Sequence, residues 1–226
     1  MGGIANGMAL HGGIIPYVAT FLIFSDYMKA SIRLAALMQA HVIYVFTHDS
    51  LGVGEDGPTH QPIEQLMSLR LIPGLTVIRP ADANETSEAW RIALSADGPV
   101  AIILTRQNLP IMENQKQISQ GVSQGAYIVS EEENPQVILL ATGSEVSLAI
   151  NVQAALLDEK ISSRVVSIPS REIFSKQSKE YKDEVLIPGI PIVTIEAGVS
   201  LGWHSYLRTV SYTHLRAHET DSYLVC

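Results

Sequence analysis

The chain has 226 residues, of which 46% are hydrophobic and 17% are charged, and its formal net charge is −8. This size and composition predict a folded core in one large domain or two small ones, and they exclude general disorder. The negative charge argues against nucleic acid or an anionic membrane as the main partner. A phosphorylated metabolite is compatible with it, because phosphate binding needs only a local cluster of arginine and histidine.

The single cysteine is Cys226, the last residue, so no disulfide can form within the chain. This fits a reducing compartment. The most apolar segment, residues 14–24, is too short for a membrane helix and contains Pro16. No charged segment of the kind found in signal peptides precedes it. We therefore expect a cytoplasmic protein with neither nucleic-acid nor membrane partners.

The first part of the chain alternates between the periodicities of helices and strands. In chain order we predict a helix over 2–11, a strand over 14–21, a helix from Ser25 or Asp26 to about Gln39, a strand over 42–46, a helix over 62–70, a strand over 76–78, a helix over 82–96 and a strand over 100–104. Asp82 and Glu85 are spaced as in a capping box. The second helix is predicted to face the core with an apolar stripe formed by Tyr27, Ile32, Leu34, Leu37 and Met38. This alternation predicts a mainly parallel sheet.

A second α/β unit follows a polar segment that lacks periodicity, residues 113–122, which we predict to be a linker between domains at 1–112 and 123–210. The second unit has predicted strands over 137–141, 164–168 and 191–195 and a helix over 145–159. The fold class is therefore α/β, with two doubly wound domains on mainly parallel sheets. Residues 211–226 share no pattern with the rest, and we predict a non-native tail; a metal-binding tail using His214 and His218 is the alternative.

The most distinctive segment is the loop 47–62, which contains three glycines, two histidines and two aspartates. It follows a predicted buried strand, and open α/β sheets bind ligands at loops that leave the carboxyl ends of such strands. Histidine is suited to donate, accept or carry a proton near neutral pH. An ordinary turn at Asp56-Gly57-Pro58 is the alternative explanation.

The two histidines of this loop, His48 and His60, have simpler explanations as well. They could be hydrogen-bonded structural residues, or metal ligands together with Asp49 and Asp56. Their spacing matches no standard metal pattern, so we expect no metal bound by this chain itself.

Aromatic and charged residues next to predicted strand ends are also open to two interpretations. Phe21, Phe24 and Tyr27 would ordinarily be core residues, because aromatic side chains mostly bury. Arg106, after the strand at 100–104, would ordinarily form a surface salt bridge. Ser144 lies where a strand turns into a helix, and helix capping accounts for it.

Five segments occur in order along the chain: MGGIANG at 1–7, TFLIFSDY at 20–27, THDS and GEDGPTHQP within 47–62, TRQNLP at 105–110, and ATGSEV at 141–146. Together they resemble the transketolase family over about residues 1–205. The resemblance implies the family's pyrimidine-binding and C-terminal domains. It also implies transfer of a two-carbon ketol unit between sugar phosphates on thiamine diphosphate. The THDS and RQNLP motifs favour transketolase over deoxyxylulose-phosphate synthase or an oxo-acid dehydrogenase subunit.

The resemblance reverses the simpler interpretation of the three aromatic residues, which we call the aromatic row (Phe21, Phe24 and Tyr27). It implies that Phe21, Phe24 and Tyr27 enclose the aminopyrimidine ring of thiamine diphosphate, with Phe24 stacking on it. A flat heteroaromatic ring needs an apolar slot, which aromatic side chains supply.

The same resemblance assigns the loop residues to catalysis and substrate binding. It implies that His48 and Asp56 contact the sugar and that His60 lies between cofactor and substrate, where it can relay a proton. We therefore expect His60 and His48 to be the catalytic residues. Arg106 is implied to clamp the substrate phosphate, for which the guanidinium geometry is suited.

Two parts of the family pattern do not occur in this sequence. One is the family's Arg-Glu-His motif, which contains the catalytic glutamate. The other is the diphosphate-binding motif, which in the family holds Mg²⁺ or Ca²⁺. We therefore expect the chain to contribute half of a site and to need the diphosphate-binding domain of a second subunit, as in the family's homodimer. Alone it should be inactive. A catalytically inert fragment or a non-catalytic partner of a full-length subunit is the alternative, and a metalloenzyme using His48, Asp56 and His60 is a further one.

Overall fold

The computed structural model describes residues 1–54, 56–113, 115–206 and 211–213, which form two α/β units. The first contains α1 (Gly2–His11), β1 (Tyr17–Phe21), α2 (Ser25–Met38), β2 (Ile43–Thr47), α3 (Gln65–Arg70), β3 (Thr76–Ile78), α4 (Ala83–Leu94) and β4 (Val100–Ile103). The second contains α5 (Gln115–Gln124), β5 (Tyr127–Glu131), β6 (Val137–Ala141), α6 (Glu145–Asp158), β7 (Ser163–Ser167), α7 (Arg171–Ser175), α8 (Lys179–Val185), β8 (Ile192–Ile195) and β9 (Ser211–Thr213).

Each unit is built on its own sheet. The first sheet has the order β1-β2-β4-β3 and is parallel throughout. The second has the order β5-β7-β6-β8-β9, in which β5 runs antiparallel to β7 and the other pairs are parallel. The predicted α/β class with mainly parallel sheets is confirmed, although the antiparallel strand β5 was not predicted.

The central strands of the first sheet are covered on both faces. Tyr44 and Phe46 of β2 pack with residues of α1, α2 and α3, whereas Ile43 and Val45 pack with residues of α4. A parallel strand buried on both faces reads as a continuous apolar run, which is how this strand was found in the sequence. Polar functional side chains are therefore expected at the carboxyl ends of the strands.

The face that α2 turns to the core differs from the predicted stripe. Of the predicted residues Ile32 is buried, but Tyr27, Leu34, Leu37 and Met38 are exposed. The buried face also includes Met28, Ala35 and Ala36. The two alanines explain the difference, because small side chains let the helix approach the sheet closely and so turn the longer apolar residues outward.

The segment predicted as a linker without secondary structure contains α5, so that part of the prediction was wrong. Ile118 and Val122, one turn apart, are buried and pack with Tyr127 of β5. Gly121 allows this contact, since an added Cβ would lie 2.2 Å from Cγ of Tyr127. A single apolar pair among polar residues is enough to seat a short amphipathic helix. The boundaries of the two domains stay a prediction.

Other element boundaries shift by a few residues. The first strand begins at Tyr17, after Pro16, and α3 begins at Gln65 instead of Pro62. Residues 211–213 pair with β8, so these three belong to the second sheet where a foreign tail was predicted. The rest of that tail, with His214 and His218, lies outside the described residues.

Buried polar contacts join the two units. Arg70 of α3 donates to both carboxylate oxygens of Glu196, at 2.9 and 2.8 Å. Glu85 of α4 accepts from Tyr127 Oη at 2.8 Å and from Ser167 Oγ at 2.7 Å. Burial raises the pKa of Glu85 to about 7, which the hydrogen bonds that it accepts offset only in part. Burial also works against the charged form of Glu196, but Arg70 holds the pKa of that carboxyl below its usual value.

The predicted cap by Asp82 is confirmed at the start of α4, but Glu85 reaches the residue before the cap, so the reciprocal bond of a capping box is not formed. The side chain of Asp82 accepts from the backbone N–H of Glu85 at 2.8 Å, and Glu85 accepts from the N–H of Ala81 at 2.8 Å. Ser144 is different: it precedes α6, but its hydroxyl makes no capping bond and donates instead to Oε1 of Glu145 at 2.7 Å. Helix capping therefore does not explain Ser144.

Candidate active site

The predicted site residues follow three neighbouring strands. Strand β1 ends at Phe21, which is paired in register with Thr47 of β2, and β2 is paired with β4. Parallel strands end at the same edge of a sheet, so the aromatic row after β1, the loop after β2 and Arg106 after β4 emerge side by side. The topology thus gathers at one edge the residues that the sequence pattern selected.

The aromatic row and the two histidines are in contact. The rings of Phe21 and His48 stack with centroids 3.7 Å apart and planes 20° from parallel. The edge-to-face contact between Phe24 and His60 has a centroid distance of 5.6 Å. Phe21 and Phe24 lie 6.3 Å apart. The two pairs form a continuous aromatic surface, which we call the aromatic cluster (Phe21, Phe24, His48 and His60).

The cluster is open to solvent at one end. The ring of Phe24 lies 6.2 Å from that of Tyr27, and these side chains are 36% and 88% exposed. Such exposure is unusual for neighbouring large aromatic rings in a folded core. The simple core interpretation therefore fails for Phe24 and Tyr27. Exposed rings in the turn after β1 and in the first turn of α2 fit a flat heteroaromatic ligand, and on this observation the residues present fit the pyrimidine ring of thiamine diphosphate.

Both histidines use the same ring nitrogen for a local contact. Nδ1 of His48 lies 3.0 Å from Oγ1 of Thr47, and Nδ1 of His60 lies 3.0 Å from Oγ1 of Thr59. The backbone N–H of His60 also donates to the carbonyl of Gly57 at 3.1 Å. These contacts leave Nε2 of each ring as the atom that can meet a ligand.

Arg106 and Gln107, after β4, lie over the loop 47–62, which we call the glycine loop. An added Cβ at Gly54 would be 3.5 Å from Cζ of Arg106, and one at Gly52 would be 1.3 Å from Nε2 of Gln107. Gln107 donates to the carbonyl of Gly52 at 3.0 Å. Arg106 is exposed and makes no ion pair with any residue in the described ranges. The surface salt bridge considered for it is therefore not found there.

Asp56 is exposed on the same loop, and the structure shows no hydrogen bond that ties its carboxylate to the aromatic cluster within the described part of the chain. Asp49, by contrast, is 2% exposed. Its Oδ2 accepts from Nε of Arg79 at 2.7 Å. Sequence reasoning weighed Asp49 only as a metal ligand and missed Arg79, because no local pattern links a residue after β2 to one after β3.

Arg79 is fully buried. Burial alone would lower its pKa, but the charges of Asp49, Glu145 and Glu196 outweigh that effect and the pKa lies above its ordinary value. Arg79 is therefore a permanent cation inside the protein.

The described ranges contain no group of three or more histidine, cysteine, aspartate or glutamate side chains arranged to hold a metal ion. Nor is any described helix both long and apolar enough to span a bilayer.

Comparison with known proteins identifies relatives along nearly the whole chain. The profile described as transketolase, pyrimidine binding domain matches residues 1–112, and the profile described as transketolase-like TK C-terminal domain matches residues 125–218. A transketolase of Geobacillus stearothermophilus is 55% identical over 212 residues, which are 92% of this chain and 32% of that protein. The chain thus spans about a third of the length of such curated relatives.

Two solved structures are also similar. A Pichia stipitis transketolase in complex with sedoheptulose-7-phosphate is 42% identical with a TM-score of 0.88, covering 96% of this chain and 32% of that one. A split-gene transketolase, described as an inactive beta4 tetramer, is 27% identical with a TM-score of 0.72, covering 88% of this chain and 63% of that one. With two transketolase domain profiles covering nearly all of its length, the chain belongs to the transketolase family.

Proposed function

We propose that this chain supplies the pyrimidine pocket and the sugar-phosphate-binding half of a transketolase active site. In the reaction a two-carbon ketol unit passes from a ketose phosphate to an aldose phosphate. The observation that carries the proposal is the aromatic cluster, in which the strand-end phenylalanines contact both histidines of the glycine loop. Thiamine diphosphate, when bound, supplies the carbanion chemistry.

The aromatic residues would hold the cofactor's pyrimidine. The exposed rings of Phe24 and Tyr27 offer a stacking surface, while one face of Phe21 is occupied by His48. Phe21 therefore supports the cluster from behind, and Phe24 is the ring positioned to stack on a ligand. The accompanying Mg²⁺ or Ca²⁺ would be held by the diphosphate-binding domain and not by this chain.

The loop residues would handle the sugar. His60, beside Phe24, can exchange a proton with a substrate oxygen through Nε2, and His48 can hydrogen-bond the same sugar from the other end of the cluster. Asp56 can accept from a sugar hydroxyl, which rejects analogues that lack it. Arg106, exposed above the glycine loop, can bind the terminal phosphate.

We further propose that the site is completed by the diphosphate-binding domain of a second subunit in a homodimer-like assembly in the cytoplasm, and that the 226 residues alone do not catalyse the reaction. The chain matches about a third of its relatives' length, in agreement with a half-site. Its similarity to the split-gene transketolase that forms an inactive beta4 tetramer favours a second candidate, a non-catalytic partner subunit.

Titration with thiamine diphosphate separates these candidates. We expect weak binding by the chain alone and at least tenfold tighter binding when a diphosphate-binding domain from a transketolase relative is added, measured by calorimetry. Tyr27→Ala should weaken the restored binding. Tyr17→Ala, which alters a different exposed tyrosine, on β1, should not. Failure to bind in both conditions would contradict the half-site and support a catalytically inert chain.

A further inference from the structure

The guanidinium of Arg79 connects the glycine loop to the second domain. From the first domain it binds Asp49 at 2.7 Å. From the second it binds Oε2 of Glu145 at 2.5 Å and the carbonyl of Thr142 at 2.8 Å. The side chains of Arg79 and Asp49 are 0% and 1% exposed. Charged hydrogen bonds in such a dry environment are strong and directional.

The site around this guanidinium is shaped for it. An added Cβ at Gly143 would lie 2.6 Å from Nε of Arg79, so the turn before α6 must carry a glycine at this position. The carboxylate of Glu145 is itself fixed by its own domain, because it accepts from the backbone N–H of Ala197 at 3.0 Å and from the hydroxyl of Ser144 at 2.7 Å. The second domain therefore presents a rigid acceptor to Arg79.

Asp49 depends on this contact. Its Oδ1 is buried and has no hydrogen-bond partner among the residues that the structure describes, and Oδ2 is bonded to Arg79. Buried carboxylates normally accept several hydrogen bonds. A carboxylate held by one residue only will move if that residue is lost.

The neighbouring residue, His48, has a strained backbone. Its φ of 57° lies in the left-handed region, which side-chain-bearing residues adopt only when the surroundings enforce it. On one side His48 is held by stacking on Phe21 at 3.7 Å. On the other it is joined to Asp49, which is anchored by Arg79.

We propose that Arg79 and Glu145 are positioning residues for His48, so that the second domain sets the conformation of the glycine loop. The inference deepens the proposed function and rests on it for the catalytic consequence. The structural part, that loss of the Arg79 bridge frees His48, holds or fails independently of any activity.

The experiment is hydrogen exchange of the 226-residue chain, followed by mass spectrometry of the peptide 47–54. The test variant is Glu145→Gln, which weakens the bridge from the second domain. The matched control is Glu131→Gln, because Glu131 also binds a buried arginine, Arg164 of the second domain at 2.8 Å, but that arginine does not contact the loop 47–54. We expect Glu145→Gln to speed exchange in this peptide about tenfold and Glu131→Gln to leave it within about twofold. Equal acceleration in both variants, or none in Glu145→Gln, would overturn the proposal.

A second readout compares the two histidines directly. Diethyl pyrocarbonate should modify His48 faster in Glu145→Gln than in the unaltered chain, while the rate at His60 stays the same. Should Glu145→Gln not fold, Arg79→Lys is judged by the same criteria, since lysine keeps the charge but not the fork that spans two carboxylates. Equal effects on both histidines would indicate general destabilisation and contradict positioning.

The catalytic consequence is measured in an assembly with a diphosphate-binding domain. There Glu145→Gln should lower kcat more than it raises KM, because it misplaces a group that acts in the reaction. Absence of ketol transfer by the unaltered assembly would refute the proposed function and leave the exchange result to decide the positioning role. Full activity in Glu145→Gln would refute the positioning role alone.

Discussion

Glu85 provides a prediction about how stability depends on pH. Its carboxyl lies between the two domains, is 0% exposed and accepts from Tyr127, Ser167 and the N–H of Ala81. Burial raises its pKa from 4.5 to about 7. Each pKa unit corresponds to about 1.36 kcal/mol, so the difference amounts to about 3 kcal/mol.

The sign follows from proton linkage. Between pH 4.5 and about 7 the folded protein binds a proton at Glu85 that the unfolded chain has released. The free energy of unfolding therefore contains a contribution that is complete below pH 4.5 and is lost as the pH rises through about 7. Glu85→Gln cannot ionise, so the variant should gain about 3 kcal/mol relative to the unaltered chain between pH 4.5 and pH 8.

Urea unfolding followed by circular dichroism at half-unit pH steps measures this difference. The control is Glu88→Gln on the same helix, because the carboxylate of Glu88 pairs with a half-exposed residue, Arg91. This variant should change the pH dependence of the free energy of unfolding by at most about 0.5 kcal/mol. Tyr127→Phe removes one donor that stabilises the ionised carboxyl, and it should move the loss of stability to higher pH. Parallel pH courses for Glu85→Gln and the unaltered chain would refute the reasoning.

Three further predictions concern the candidate active site. In an active assembly, His60→Ala should lower kcat about 10²- to 10⁴-fold with unchanged circular dichroism, and turnover equal to the unaltered enzyme would contradict the assigned role. Arg106→Ala should raise KM for phosphorylated sugars by a factor that corresponds to about 1.5–3 kcal/mol of lost binding free energy. An equal loss with unphosphorylated sugars would refute a phosphate clamp. Gly52→Ala should displace Gln107, whose Nε2 would lie 1.3 Å from the new Cβ, and lower stability in urea by about 1 kcal/mol. Gly98→Ala, with its nearest neighbour at 3.9 Å, should show no comparable loss and serves as the control.

The sequence predicted features that depend on short-range chemistry. The cap that Asp82 provides for the N–H of Glu85 formed as expected, because its partners are three residues apart. The buried strand β2 was visible as an apolar run. The gathering of Phe21, His48 and Arg106 at one sheet edge followed from the parallel alternation of elements, since such strands end together.

Features that depend on tertiary packing were not visible in the sequence. The predicted core stripe of α2 included Leu34 and Leu37, which are exposed, because periodicity identifies an apolar helix face but not how closely the helix approaches the sheet. The partners of Arg79 lie 30 and 66 positions away in the chain. No local pattern records a pairing over such distances, so the link between the loop and the second domain required the structure.

The contacts between the domains are charged as well as apolar, and this bears on how the site is held. Arg79 with Glu145, Arg70 with Glu196, and Glu85 with Tyr127 each join a residue of the first domain to one of the second. A buried ion pair contributes little net stability, since desolvation of both charges opposes their attraction. Removing one partner is costly, about 3–5 kcal/mol, because the other charge remains buried. A shifted domain arrangement would break such contacts and leave charges buried without a partner. Apolar contacts between domains lack this directional requirement, so they penalise a small shift less. We therefore expect them to fix one relative orientation of the domains, and with it the position of the loop that Arg79 anchors.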